Sequence, residues 1–562
     1  MIEDRIGRRE MLAVAACCAA ASLTAIAWSW RHNAILNYGD AEAHLHIARR
    51  VIDSHRPGLS QLGSVWLPLP HLLMIPFVAV YAWWANGIAG TIPSALAWLL
   101  SCVGMYRLLR QWLRPAPAAI ALAFFVLNPN LIYIQTTGMT EPLFVCELVW
   151  IVAWLVEWRA SLDDGDGRRT NRLTWLIALT LAAAVFTRYD GWIMALIAWT
   201  AMGIALLRRG RLRSRAFWMA SAVVIAAPLV WFAYNAVVFG DWLDFARGPY
   251  SAKAIELRTA TPGAGPPHPG WHNPWVGLLF FLKVSEMDSA AAHWGNTLLA
   301  LSVLGTAWGW FMERRRALAW SLLLWFPVPF YAWSVAYGSV PIFIPVWWPH
   351  SWYNTRYGLE LIPALALGAG FAARFLLGAV RELKPAWTRA AVAVLFAAVA
   401  ANAAEMVRER PLVYVEGTEN AHARRGYEQE IAAAMRKVLS ARPDATVLMI
   451  TSVYPQIVAL SGIPLRQTVN ESDKEYYQAA LADPAGHAAV ILAFDGDEVE
   501  EAVRLHPHGL KLVARFSWPG QPAASLYVSG AAAEPAPSAG ARSDSIAHEI
   551  GSMTAFVHRE ED

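Results

Sequence analysis

Between residues 11 and 404, apolar segments of about twenty residues recur along the chain, separated by tight clusters of arginine. At 1.5 Å of rise per residue, such a segment matches the bilayer's hydrocarbon core of about 30 Å. Lipid offers the backbone no hydrogen-bond partner, so segments of this kind fold as membrane-spanning helices. The expected spans are 11–30, 91–110, 116–134, 142–158, 173–187, 191–207, 216–238, 294–312, 317–337, 359–377 and 388–404. Composition agrees. Of 562 residues, 56% are hydrophobic and 16% charged, where soluble domains carry about 25% charged. A disordered, fibrous or soluble cytosolic protein is excluded. The net charge of +3 gives no case for a nucleic-acid partner. Cys17, Cys18, Cys102 and Cys146 all lie in apolar runs, without metal-binding or disulfide spacing, and read as small core hydrophobes.

The arginines set the sidedness. The N-terminal MIEDRIGRRE has no cleavage site after its apolar run, so an uncleaved first span starts from a cytoplasmic N-terminus. Further clusters stand at Arg107–Arg114, Arg159–Arg172, Arg208–Arg215, Arg314–Arg316 and Arg381–Arg389. All fall on the cytoplasmic side if residues 67–88 do not cross. Pro68, Pro70 and Pro76 disfavour a straight helix there, so that stretch reads as an interfacial or re-entrant element in a long outer loop, 31–90. The expected fold is an α-helical polytopic membrane protein of about eleven transmembrane helices. From residue 405 the apolar runs shorten and charge rises. Strand patterns at 445–451, 488–494, 510–516 and 524–529 alternate with helical ones at 420–440 and 495–506, giving a small C-terminal α/β extracytoplasmic domain. It has no phosphate-binding glycine motif. The expected domains are 1–404, transmembrane; 405–530, α/β; and 531–562, a disordered low-complexity tail.

On this topology a set of charges falls on the outer side: Asp40, Glu42, Glu141, Arg188, Asp190, Asp241, Asp244 and Arg356. Ionisable residues at membrane depth are costly and are functional candidates by default. Asp40 opens a helical pattern and is the candidate general base, with an N-cap role as the alternative. If both are helical, Glu42 points about 200° away from it. His44 and His46 lack the spacing of paired helical metal ligands and read as surface residues. Glu141 stands beside Pro142 at a helix start, a position the helix dipole favours for a carboxylate, and offers a second carboxylate from a different span. Arg188 and Asp190 share a short turn and can pair. Arg356, beside Tyr357, has the fork that suits a lipid-linked phosphate. Trp347, Trp348, Trp352 and Tyr353 fit an interfacial aromatic belt.

Taken in order, the acidic first outer loop, TEPLF at 140–144, TRYDGW at 187–192 and RYGLELIPAL at 356–365 resemble the GT-C glycosyltransferases. The likeness is to bacterial members grouped with the protein O-mannosyltransferases and aminoarabinose transferases, over residues 30–375. It implies an inverting hexosyl- or pentosyltransferase at the bacterial inner membrane that uses a polyprenyl-phosphate sugar. The acceptor would be a lipid, a glycan or a protein. Asp40 and Glu141 map to the catalytic carboxylates, and the resemblance implies both as ligands of a divalent cation (Mg or Mn). Arg356 maps to the donor-phosphate contact, with Tyr357, Arg188, Asp190 and Glu42 around the substrate. The first loop reads DAE where relatives commonly have DE. VWLPLPH at 65–71 differs in order from the His-Pro-Pro-Leu segment of relatives, and no WWDYG signature of oligosaccharyltransferases is present. The rival function is a multi-span transporter or lipid flippase, which predicts a polar pathway and an internal repeat; neither is evident.

Overall fold

The computed structural model describes residues 6–259, 266–313 and 318–530. The expected disordered tail and the cluster Arg314–Arg316 lie outside the described residues. The described residues pack as two compact units, those up to 48 with those of 62–421, and 49–61 with 422–530.

The first unit is helical. The apolar α1 (Arg8–Arg31) leads to α2 (Gly39–Arg50). Residues 67–88 form two short helices, α3 (Leu69–Val78) and α4 (Tyr81–Asn86), rising about 15 and 9 Å. Neither is long enough to cross a bilayer core. Gly87, at φ +88°, turns the chain into α5 (Ile88–Leu109). Next come α6 (Pro115–Val126) and α7 (Pro129–Ile134), separated by Asn128, whose side chain accepts the Leu131 N–H as an N-cap. Four long helices follow: α8 (Glu141–Asp164), α9 (Gly167–Thr187), α10 (Asp190–Leu207) and α11 (Arg215–Phe239). After the short α12 (Asp244–Arg247) and α13 (Ala252–Thr259) come α14 (Pro274–Ser289) and α15 (Gly295–Glu313). A 3₁₀ segment, Leu318–Trp325, runs into α16 (Pro327–Tyr337). A second, Thr355–Leu361, runs into α17 (Ile362–Leu383). The helices end with α18 (Thr388–Glu409) and the first part of α19 (Leu412–Ser440).

Helix occupies all eleven expected positions. Among the described residues, eight helical runs are long and apolar enough to cross a membrane. The others are α6, a shorter apolar helix, α8, which carries Glu141, Glu147 and Glu157, and α15. The chain is a multi-pass membrane protein. Helix α8 is buried along most of its length and is the hub of the core. Helices α15 and α17 meet through glycines: a Cβ at Gly305 would lie 2.1 Å from the Gly368 carbonyl oxygen. Small residues allow this approach where lipid supplies no hydrophobic drive between helices. Of the cysteines, Cys18, Cys102 and Cys146 are buried as expected, but Cys17 is exposed on α1.

The second unit holds a five-stranded sheet, order β2-β1-β3-β5-β4, of β1 (Val447–Met449), β2 (Thr468–Val469), β3 (Val490–Phe494), β4 (Leu510–Phe516) and β5 (Ala524–Ser529). The β1 strand runs parallel to β2 and β3, and β5 antiparallel to β3 and β4. Every residue of β3 is buried, the mark of a strand covered on both faces. The helix after it (Glu498–Leu505) is capped by Asp497, whose carboxylate accepts the Glu500 N–H at 2.6 Å. Four strands lie within the expected segments; β2, two residues long, is too short to leave a period-two pattern. Residues 49–61 belong to this unit because the buried Asp53 binds Arg49, Arg466 and the Leu465 N–H.

Candidate active site

Five separate stretches of the first unit bring charged groups to one end of the helix bundle. Asp40 lies in the first turn of α2 and Glu141 in the first turn of α8, where the dipole's positive end favours a carboxylate. Arg188 and Asp190 flank the turn from α9 to α10. Arg356 and Glu360 sit four residues apart on the 3₁₀ segment before α17. Glu416 comes from the first turns of α19.

Arg356 is the centre. Only 7% of it is exposed, and each guanidinium nitrogen has its own carboxylate. Nε donates to Glu141 at 3.0 Å, Nη1 to Glu416 at 3.2 Å and Nη2 to Asp40 at 2.5 Å. Glu416 is anchored in turn. Its Oε2 accepts from the Thr355 N–H and hydroxyl at 3.1 and 2.6 Å and from the Tyr38 hydroxyl at 3.2 Å. Arg188 repeats the pattern. It pairs with Glu141 at 3.3 Å, Asp190 at 3.0 Å and Glu360 at 3.3 Å, and donates to the Tyr331 hydroxyl at 2.9 Å. Tyr331 donates to Glu360 at 2.6 Å. The two knots share Glu141 Oε1, and the Tyr357 ring lies 5.0 Å from the Arg188 guanidinium carbon and 5.3 Å from that of Arg356. Gly358 lets the 3₁₀ segment approach α14 closely: a Cβ there would meet the Asp288 carboxylate at 2.5 Å and the Ser285 backbone at 2.9 Å.

The carboxylates are not equivalent. The side chains of Glu141, Asp190, Glu360 and Glu416 are at most 1% exposed, whereas that of Asp40 is 44% exposed. Asp40 is therefore the member that solvent or substrate reaches. Glu141 Oε2, Glu360 Oε2 and both oxygens of Asp288 are buried with no hydrogen-bond partner among the described residues.

Of the residues singled out in the sequence, the structure joins Asp40, Glu141, Arg188, Asp190, Arg356 and Tyr357 in this network. Glu42 follows Asp40 within the same helix, so the helical repeat turns it away; it is buried. Asp241 and Asp244 stand at α12, whose Phe245 stacks on Tyr189, but no hydrogen bond or ion pair among the described residues joins either to the network. The surface placement expected for His44 and His46 is overturned, for both are buried. His44 is one turn beyond Asp40. Its Nδ1 lies 2.8 Å from His71 Nε2 and its ring 4.4 Å from that of Trp66. Burial pushes the His44 imidazole down to about 4, against the nearby Asp40 and Glu141 carboxylates. Sequence reasoning missed Glu360, Glu416 and Tyr331. The i, i+4 spacing from Arg356 pointed to Glu360. Glu416 lies beyond the composition change at residue 405, and nothing distinguished Tyr331 from a belt aromatic.

A divalent cation does not fit this arrangement. Among the described residues no group of three or more His, Cys, Asp or Glu could hold one. Asp40 and Glu141 both point their oxygens at Arg356, whose guanidinium takes the place between them.

No family model and no curated protein matches the chain in sequence. Solved structures do match. ArnT from Cupriavidus metallidurans, an aminoarabinose transferase crystallised with undecaprenyl phosphate bound, superposes with a TM-score of 0.57 at 13% identity, over 92% of this chain and 99% of its own. The chain has the GT-C fold. The same ArnT in the apo state gives a TM-score of 0.52 at 14% identity, covering 86% of this chain and 93% of that one. The Archaeoglobus fulgidus oligosaccharyltransferase in complex with Zn and sulfate gives 0.47 at 11% identity, covering 81% and 62%. Within the GT-C fold of this chain, the charge network joins the start of α8, the α9–α10 turn and the segment before α17.

Proposed function

We propose that this protein is an integral-membrane inverting glycosyltransferase that moves a sugar from a polyprenyl-phosphate donor to an acceptor lipid, glycan or protein on the outer face of the membrane. The observation that carries this reading is the Asp40–Arg356 contact: the one part-exposed carboxylate of the network rests on a guanidinium otherwise enclosed by protein. The fold supports it, since an ArnT of the same fold was crystallised with undecaprenyl phosphate bound.

The chemistry follows from that contact. A donor phosphate competes with Asp40 for Nη2 of Arg356, being itself an anion that suits the guanidinium fork. Asp40, released, takes the proton of the acceptor hydroxyl or amine as general base. The acceptor attacks the sugar's anomeric carbon from the face opposite the phosphate, and the carbon–oxygen bond to the phosphate breaks with inversion. The electron pair stays with the departing polyprenyl phosphate, and Arg356, already oriented by Glu141 and Glu416, stabilises its charge without reorganising. Arg188, held by Asp190 and Glu360, keeps Glu141 in place and adds a second cation beside the leaving group. No step runs through a divalent cation. On this reading the N-terminus is cytoplasmic and the site lies on the outer side of a bacterial inner membrane, a sidedness that the arginine clusters of the sequence support.

The test is a transfer assay with purified protein and a panel of labelled polyprenyl-phosphate sugars, with and without EDTA. Expected are transfer from one or more donors, inverted anomeric configuration, release of one polyprenyl phosphate per sugar, and no loss of activity in EDTA. Folded protein that turns over no donor in the panel sinks the reading. Reporter fusions at Arg211, expected inside, and after Pro443, expected outside, test the sidedness; an inside signal after Pro443 inverts the site's placement.

A further inference from the structure

The helices that carry the acidic network at their starts carry arginines at their ends. Arg159 follows Glu141 along α8, and Arg208 follows Asp190 along α10, by about 27 Å in each case at 1.5 Å per residue. That distance is close to the thickness of a bilayer's hydrocarbon core, so these arginines stand at the opposite membrane face from the network. Between α8, α10 and the 3₁₀ segment before α16 lies a cavity of 1070 Å³ that ends on Arg159, Arg208 and Arg209. Its walls are apolar: Leu155, Ile197, Ala201, Trp320, Leu323 and Phe326 line it. It opens sideways, since Ile197 and Ile204 on α10 are nearly half exposed. From Ile197 to Arg208 the wall runs about 16 Å along the helix axis, enough for much of an acyl chain.

The basic end gathers three arginines. Arg159 and Arg209 both pair with Asp163, while Arg208 is exposed and makes no ion pair among the described residues. A long apolar slot, open to the side of a membrane-spanning helix and closed at one end by the guanidiniums of Arg159, Arg208 and Arg209, suits a phosphate-headed lipid. We propose that this cavity seats one anionic phospholipid of the bulk membrane, with its chains along α8 and α10 and its head phosphate on Arg208 and Arg209. The inference rests on the membrane-spanning fold and not on the transferase reading. It is separate from the donor site, because a reacting phosphate must reach Arg356 at the other end of the same helices.

The test uses the full-length protein in phosphatidylcholine nanodiscs with phosphatidylglycerol titrated in, read by retained lipid in native mass spectrometry and by melting temperature. Phosphatidylglycerol is expected to bind and raise the melting temperature, while phosphatidylcholine and inorganic phosphate do neither. Arg208→Gln, which breaks no ion pair, should weaken phosphatidylglycerol binding about fivefold, the contribution of one basic residue facing an anionic headgroup. Ala201→Trp, which fills the slot, should abolish retention with the phosphatidylcholine melting temperature unchanged. Equal retention of the two lipids overturns the proposal. So does an inorganic-phosphate shift as large as that of the lipid, or undiminished phosphatidylglycerol binding in Arg208→Gln.

Discussion

Each unit of the molecule buries a cluster of charge, and the two are built on opposite rules. In the second unit one carboxylate, Asp53, meets two guanidiniums, Arg49 at 2.7 Å and Arg466 at 3.2 Å, together with the Leu465 N–H at 3.2 Å. Both oxygens are used and cations are in excess, as polar burial ordinarily requires. In the first unit five carboxylates gather round two guanidiniums, and buried oxygens of Glu141 and Glu360 have no hydrogen-bond partner among the described residues. Asp53 fixes a loop. The network around Arg356 is held with more negative charge than stability asks for, which is how a site looks when it awaits charge movement rather than a resting optimum. Substitutions at four positions test whether that contrast is real.

The largest effect is expected at Arg356. Arg356→Ala takes a cation from three carboxylates, of which Glu141 and Glu416 are buried, and should cost about 3–5 kcal/mol of stability with loss of activity. Thermal unfolding in detergent reads this directly. Arg356→Lys restores the charge without the fork and should fall between the two. A variant that melts like the parent would mean that the network is solvated and that the contrast with Asp53 does not hold.

Asp40→Asn comes next. An amide keeps the shape at the start of α2 and can still serve a helix N-terminus, while it cannot act as a base. Turnover should drop about a hundredfold or more with the melting temperature nearly unchanged and donor binding retained. Near-parental turnover would move the base elsewhere in the network and leave Asp40 a helix-start residue.

The distribution of legible and hidden residues follows from the same physics. Spans and strands left repeating patterns, so helix occupies each expected crossing and β1, β3, β4 and β5 lie in expected segments. Asp40, Glu141, Arg188, Asp190 and Arg356 were visible because charges next to apolar runs stand out against the arginine pattern of the other ends. Their convergence was not visible, since it depends on how α2, α8, α9, α10 and α17 pack. Glu416 was hidden because the chain there already reads as a polar domain, although the packing boundary falls only after Ala421. His44 was misread because one residue pair cannot reveal that His71 and Trp66, more than twenty residues on, bury it.

The second unit offers a smaller test, set by pH. Asp473 is 4% exposed, and burial raises its carboxyl to about 6 despite its hydrogen bond from the Asn470 N–H. Its unfolded value is near 3.9. The folded form therefore binds the proton more tightly, so this group stabilises the unit below about pH 4 and loses that contribution as pH rises through 6. The loss should be on the order of 3 kcal/mol. Hydrogen exchange of the sheet amides in the intact protein should show protection falling between pH 4 and 7. Asp473→Asn should remove about half of that slope, leaving the part due to Asp497, which burial also raises to about 6. A slope unchanged in the variant would assign the whole effect to Asp497.

The smallest expected effect has the most telling sign. Glu360 accepts from Tyr331 with one oxygen, and among the described residues its other is buried without a hydrogen-bond partner; Arg188, its only cation among those residues, already serves Glu141 and Asp190. Glu360→Gln keeps the carbonyl that Tyr331 needs, removes one of three carboxylates around a single guanidinium, and turns an amide donor toward acidic neighbours. It should raise stability by about 1 kcal/mol, because relieving excess buried charge outweighs the loss of one shared ion pair. Turnover should fall at the same time, since Arg188 then sits less firmly beside Glu141. That combination, stability up and activity down, is what distinguishes a network kept for function from one kept for the fold. A Glu360→Gln variant that melts lower than the parent would place Glu360 with Asp53, as a carboxylate the fold needs, and would erase the difference between the two clusters.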